Sequence, residues 1–299
     1  MRYDCVIIGG GPAGLNAALV LGRARRSVAL IDGNKPRNAV THASHGFITR
    51  DGVTPTEFRT IAANELLRYP TIDHLQAEVS SVEKVDAGYE VQDSSGLVYQ
   101  ARKVILATGV SEIFPKIEGF YSFYGKSLFV CPYCDGWEHR DQPLVIVSES
   151  PHVFHYAKTI YNWSKELVVC TNGHALLDEE QKEKLDAKGI KIMEQAVSSF
   201  LGQSGQLEKV RFKNGTEIKR RAGFVMSEMV PNIQLVENLG CEKEQSGTLK
   251  TDDYGRTSIK DLYIAGDASY VNPSQLIFAA ADGSRTAAAV NMDLTEEDF

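Results

Sequence analysis

Tyr3-Asp4-Cys5-Val6-Ile7-Ile8-Gly9-Gly10-Gly11-Pro12-Ala13-Gly14 is the stretch whose reading decides the fold. A short apolar run suited to a buried parallel strand ends in a glycine turn, and helix-like sequence follows from Leu15 to Arg23. A second apolar run, Ser27-Val28-Ala29-Leu30-Ile31, closes on Asp32. Strand, glycine turn, helix, strand and acid, in that order, make the βαβ unit that binds a dinucleotide. Gly9 permits the tight turn, Gly11 lets a pyrophosphate approach the backbone, and Gly14 lets the helix pack on the sheet. Pro12 and Ala13 complete the turn and belong with it to the expected cofactor site. The helix N-terminus offers its dipole and unpaired N–H groups to the phosphates. Asp32 is placed to accept hydrogen bonds from the adenosine ribose.

The same stretch is apolar from Val6 to Leu21, but its glycines and Pro12 interrupt it. A membrane span needs about 20 uninterrupted apolar residues, and no small-residue cleavage site follows Arg23, Arg25 and Arg26. No membrane association and a cytoplasmic location are expected. The chain has 299 residues, room for about two ordinary domains. Its apolar fraction of 43% and charged fraction of 24% exclude disorder and collagen-like structure. A net charge of −7 argues against a nucleic-acid binder, which needs a basic field.

Further along, residues 55–69 read as an exposed amphipathic helix. Residues 75–105 alternate as a small β-meander that ends in Val104-Ile105-Leu106-Ala107-Thr108-Gly109. A second βαβ-like start follows: strand Pro143–Val147, helix over 152–163, strand Leu167–Val169. Asp261-Leu262-Tyr263-Ile264-Ala265 is another buried strand, ending in Gly266-Asp267, and Leu276 to Asn291 is helical. The fold class is α/β, with two Rossmann-like (three-layer) domains.

Of five cysteines only Cys131 and Cys134 stand close together, in Cys131-Pro132-Tyr133-Cys134-Asp135. Two thiols at this spacing can close a small disulfide ring and exchange by thiolate attack. A zinc site would need a second close pair of ligands, which is missing, so no metal is expected. A glutaredoxin module carries a similar tetrapeptide, but there it follows the first strand of a small thioredoxin fold rather than 130 residues of another type.

Ala107-Thr108-Gly109 and Gly266-Asp267 resemble flavoprotein elements. Taken in order with Gly9–Gly14, Asp32, the Cys131/Cys134 pair, Asp135-Gly136 and Gln275 before the last helix, they cover essentially the whole chain. The sequence resembles the low-molecular-weight thioredoxin reductases. That resemblance implies FAD as cofactor and an FAD domain in two pieces, 1–112 and 247–299, split around a central domain, 113–246, that carries the CxxC. It further implies that Thr108, Gly109, Gly266 and Asp267 line the FAD site, Asp267 on the ribitol, and that Gln275 and Leu276 approach the flavin pyrimidine edge. Cys134 would be the flavin-proximal sulfur, Cys131 the interchange thiol and Asp135 the acid–base group. His45, in Ser44-His45-Gly46-Phe47, reads as a surface or satisfied core histidine, with a place near the flavin as the alternative. The resemblance also implies a homodimer and a thioredoxin-like protein, or a small dithiol or disulfide, as substrate.

The central domain departs from this pattern. Val145-Ile146-Val147 is followed by Ser148-Glu149-Ser150-Pro151-His152-Val153, with no glycine at any fingerprint place. Glu149 would stand beside an anionic pyrophosphate. No arginine occurs between Arg140 and Arg211, where the 2′-phosphate clamp of NADPH belongs. The expectation is an FAD-dependent dithiol–disulfide oxidoreductase with a degenerate NADPH site. Oxygen, as in dithiol oxidases, or ferredoxin would then be the other electron partner. A conventional NADPH-dependent reductase and a flavin-bearing redox sensor are the alternatives.

Overall fold

The computed structural model describes residues 2–269 and 274–299. Its contacts divide the chain into two units, one of Met1–Ala39, Gly46–Ser111 and Met229–Phe299, the other of Val40–His45 and Glu112–Glu228.

The first unit begins with β1 (Arg2–Ile8), α1 (Pro12–Arg23), β2 (Val28–Asp32), α2 (Pro55–Leu66) and β3 (Ile72–Gln76). A meander follows, β4 (Val79–Val85), β5 (Gly88–Asp93) and β6 (Val98–Leu106). The sheet runs β3-β2-β1-β6-β5-β4, with β1 parallel to both β2 and β6. Alternation along β1 builds two cores. Cys5 and Ile7 face α1 with Val28 and Leu30, whereas Val6 and Ile8 face Val82, Tyr89 and Val91 of the meander. Small buried residues on α1, Ala13, Gly14, Ala17 and Ala18, let the helix lie close to the strands.

The chain leaves through β7 (Val110–Ile113). The second unit holds α3 (Phe120–Phe123), β8 (Leu128–Phe129), α4 (Pro132–Asp135), β9 (Leu144–Val147), α5 (Val153–Ile160), β10 (Leu167–Cys170), α6 (Glu179–Asp186) and β11 (Lys191–Met193). A hairpin series then runs β12 (Val197–Gln203), β13 (Gln206–Phe212) and β14 (Glu217–Lys219), before β15 (Ala222–Val225). The main sheet, β11-β10-β9-β15-β8, is parallel throughout. On α5, Val153, Ala157 and Ile160 are buried at helical spacing against Ile146 and Val169.

The chain returns through β16 (Glu228–Pro231). In the first unit β17 (Leu262–Ile264) lies parallel beside β6, and α7 (Leu276–Asp298) packs with Ala287, Val290 and Leu294 in the same core as α1. The sequence reading returned the chain to this unit only at residue 247. The return comes at Met229, because Ile233 and Val236 are buried in the core of Tyr3, Val6 and Leu106. Likewise 40–45, read as part of the first piece, packs in the second unit.

Candidate active site

The glycine turn between β1 and α1 is shaped by close approach. Gly9 has φ +108°, and a Cβ there would meet Ala107 O at 2.3 Å; one on Gly14 would meet Gly9 O at 1.8 Å. A Cβ on Gly11 would meet nothing within 4 Å, so the space beside that residue is open. Gly11 caps α1 without a side-chain hydrogen bond, and Pro12 takes the first helical position. Leu15 N–H is the amide that reaches back to Gly11 O, at 2.9 Å, which leaves first-turn amides for an anion. At the end of β2, Asp32 Oδ1 accepts the Gly10 amide at 3.1 Å.

The other expected cofactor residues of this unit gather around the ends of β6 and β17. Thr108 Oγ1 donates to Asn232 O at 2.6 Å, and Asn232 Nδ2 returns a bond to Thr108 O at 3.1 Å. Gly109 follows with φ +66° and accepts the Asn232 amide at 3.0 Å. Gly266, φ +74°, abuts Ala13: a Cβ there would lie 2.7 Å from the Ala13 methyl. Asp267 Oδ2 accepts Arg37 Nη2 at 3.0 Å and Ser274 Oγ at 2.5 Å. Gln275 caps α7 without a side-chain bond, and Leu276 begins the helix. Two arginines that the sequence reading passed over belong here. Arg59 pairs with Asp32 and donates to Asn34 Oδ1 at 2.7 Å, and Arg37 pairs with Asp267. Neither lies in a motif; only the fold brings them to these carboxylates.

In the second unit Cys131 is the N-cap of the one-turn helix α4, and Cys134 lies in that turn. Cys134 and Asp135 amides both donate to Cys131 O, at 3.1 and 3.2 Å. The neighbouring Cys134 thiol, aided by the amides of Cys134 and Tyr133, holds Cys131 below the ordinary thiol range against the opposing effects of burial and Asp135. Gly136 must lack a side chain, since a Cβ would meet Pro132 O at 2.4 Å and the Trp163 ring at 2.9 Å. Asp135 is pushed up to about 7, first by burial and then by the Glu138 carboxylate, with His45 opposing. His45 Nε2 stands 3.7 Å from Glu138 Oε1. His45, a partly exposed histidine with a carboxylate partner, belongs to the surroundings of Asp135, a link between segments far apart in sequence that no motif marks. His139 packs its ring against Phe129 at 4.8 Å, and burial lowers its pKa. Among the described residues no group of three His, Cys, Asp or Glu side chains could hold a metal.

The stretch after β9 forms a closed turn. Ser148 Oγ accepts the Ser150 amide at 3.0 Å, and Ser150 Oγ accepts the His152 amide at 3.3 Å. Glu149 Oε1 accepts Asn172 Nδ2 at 2.5 Å, and Asn172 Oδ1 accepts the Val197 amide at 2.8 Å. Two amides of the loop, those of Ser150 and His152, are thus bonded to its own hydroxyls.

The pyridine nucleotide-disulphide oxidoreductase family model matches residues 3–283. The chain belongs to that family. It is 46% identical to the Bacillus anthracis thioredoxin reductase candidate TrxB, whose crystal structure superposes with a TM-score of 0.96 over 99% of this chain and 100% of that one. It is 31% identical to a "Probable thioredoxin reductase" of Arthroderma benhamiae, over 99% of this chain and 81% of the relative. It is 29% identical to the thioredoxin reductase sirT of Leptosphaeria maculans, over 99% and 96%. The family member is an FAD-dependent disulfide oxidoreductase of the thioredoxin-reductase type. The first unit fits FAD on its own geometry: open space beside Gly11, a helix start without a side-chain cap, and Asp32 at the end of β2. Among the described residues no helix is long and apolar enough to cross a membrane.

Proposed function

We propose that this oxidoreductase passes electrons between a substrate dithiol and FAD through Cys131 and Cys134, without using NADPH. The turn at Ser148–His152 carries the proposal. Its Ser150 and His152 amides are bonded to its own serine hydroxyls, and Glu149 would add negative charge where a pyrophosphate lies. Both features weigh against a nicotinamide dinucleotide at this segment.

Gly9, Gly11, Pro12, Ala13, Gly14 and Asp32 would hold the adenosine and pyrophosphate portion of FAD. Thr108, Gly109, Gly266, Asp267, Gln275 and Leu276 would hold the remainder. Bound FAD supplies a two-electron acceptor. Cys131, whose thiolate is favoured, exchanges with the substrate: two substrate thiols become a disulfide, and the Cys131–Cys134 disulfide becomes two thiols. With FAD bound, Cys134 would be the sulfur nearer to it, and the cofactor would supply the oxidising power that returns the Cys131–Cys134 pair to its disulfide. Asp135, titrating near neutrality, takes and returns the proton that each thiol must lose or gain. Oxygen is the terminal acceptor, yielding peroxide, and the substrate is a small dithiol or a thioredoxin-like protein. The protein works as a cytoplasmic homodimer.

The test is oxygen uptake with dithiothreitol and no nicotinamide. The wild type should consume one oxygen and release one peroxide per dithiol oxidised, and Cys131→Ser and Cys134→Ser should not. Turnover only when NADPH is supplied would replace this reading with a conventional reductase. Turnover only with reduced ferredoxin would make ferredoxin the partner.

A further inference from the structure

In a dinucleotide-binding fold the helix after the first strand points at phosphate. Here that helix, α5, is tied to the redox motif instead. Its Val153–Ala157–Ile160 face packs on the sheet. Tyr156, one position round from Ala157, directs its hydroxyl to the carbonyl oxygen of Val130 and donates a hydrogen bond there. Val130 immediately precedes Cys131, so the bonded carbonyl shares its peptide plane with the Cys131 nitrogen.

Cys131 is thereby held from both sides. Its own carbonyl accepts the amides of Cys134 and Asp135 from α4. The peptide before it is held by Tyr156. With both flanking planes fixed, the extended backbone of Cys131, φ −107° and ψ 110°, has one orientation, and so has its Cβ. That orientation sets the sulfur beside the Cys134 thiol, which does most to favour the thiolate, with the amides of Cys134 and Tyr133 adding to it. The phenol stays protonated throughout the working range, because burial and then the nearby Cys131, Asp135 and Cys134 hold its pKa well above the ordinary tyrosine value.

We propose that Tyr156 is a positioning residue for the Cys131–Cys134 pair, its hydroxyl clamping the Val130–Cys131 peptide so that Cys131 is presented as the reactive thiolate. The proposal rests on the reading of Cys131 as the exchanging thiol. It concerns a residue on the helix that a nucleotide would otherwise meet, and it gives that helix a function in a chain whose nucleotide turn is closed.

The experiment uses full-length, FAD-loaded Tyr156→Phe, which keeps the ring and loses the hydroxyl. Reduced enzyme is alkylated with iodoacetamide across pH 5–9, and modification of Cys131 is followed by peptide mass. The midpoint for Cys131 should move up towards the ordinary thiol value. Alkylation at pH 7 should slow about threefold to tenfold, the effect of losing one hydrogen bond. The FAD absorbance should be unchanged, and the thermal midpoint should fall by no more than a few degrees, the cost of one lost hydrogen bond. An unmoved Cys131 profile would overturn the proposal. So would a lowered thermal midpoint with an unmoved profile, since that is a purely structural role. If Tyr156→Phe fails to fold, Tyr156→Met, which also lacks the donor, is measured in the same way, and an unmoved Cys131 profile there overturns the clamp while an upward shift sustains it. Alkylation needs no turnover, so a shifted profile in an enzyme that fails to oxidise dithiols would sustain the clamp and sink the proposed function.

Discussion

Asp135 carries the prediction with the clearest arithmetic. Its carboxyl is raised from 3.8 to about 7 by burial and by Glu138. In the unfolded chain it ionises near its ordinary value, so the folded protein binds one more proton between the two values. Stability therefore falls as pH rises through that window, the reverse of the usual behaviour of a salt-bridged aspartate. The slope is about 1.4 kcal/mol per pH unit, and the cost levels off above pH 7 at on the order of 4 kcal/mol. Asp135→Asn removes the titration and keeps the shape. It should match the wild type near pH 4 and exceed it by a few kcal/mol at pH 8. The assay is urea unfolding at fixed excess FAD from pH 4 to pH 8.5, read as the free-energy difference between the two proteins. A difference that stays flat with pH, or one favouring the wild type in alkali, would refute the assignment. Glu138→Gln should shift the levelling point to lower pH, because it removes the second cause. On the proposed function the same shift is useful, since a carboxyl half-protonated near neutrality suits proton transfer in thiol exchange.

The glycine turn separates fold from cofactor. Gly11→Ala should leave the urea midpoint of the apoprotein unchanged, because nothing lies within 4 Å of the new methyl, while FAD retention on gel filtration falls at least tenfold. Gly14→Ala should destabilise the apoprotein itself, by about 2 kcal/mol or more, since its methyl would collide with Gly9 O. Lys103 is buried and bonded to Asp261 at 2.6 Å and Glu297 at 2.7 Å. Lys103→Met strands those carboxylates and should cost on the order of 2 kcal/mol in urea unfolding. Although burial lowers the Lys103 pKa, the two carboxylates outweigh it and the net shift is upward. Its stabilisation should thus persist at neutral pH and disappear only in strong alkali.

Much of this was legible in the sequence because the signals were local. The order from Tyr3 to Asp32 gave β1, α1 and β2, and the apolar run at 143–147 gave β9. The Cys131/Cys134 pair stood out by its spacing. The helix α1 begins at Pro12 rather than Leu15, as expected of a proline at the first position. What escaped was made by long-range contact. Leu207, Val210 and Phe212 alternate with exposed Glu208 and Arg211, a strand pattern in β13 easily lost between two Rossmann motifs. The pairing of Arg59 with Asp32 and of Arg37 with Asp267, the approach of His45 to Glu138, and the reach of Tyr156 to Val130 each join segments that share no motif. The return of the chain at Met229 is likewise decided by the burial of Ile233 and Val236, which carry no boundary signal of their own.

The central claim is that thiols, and not a nicotinamide, reduce this flavoprotein. Anaerobic stopped-flow following the flavin absorbance tests it directly, with NADPH and a small dithiol each mixed in stoichiometric amount. The dithiol should bleach the flavin rapidly in the wild type and not in Cys134→Ser, and NADPH should bleach neither. Rapid bleaching of the wild type by one equivalent of NADPH would contradict the account.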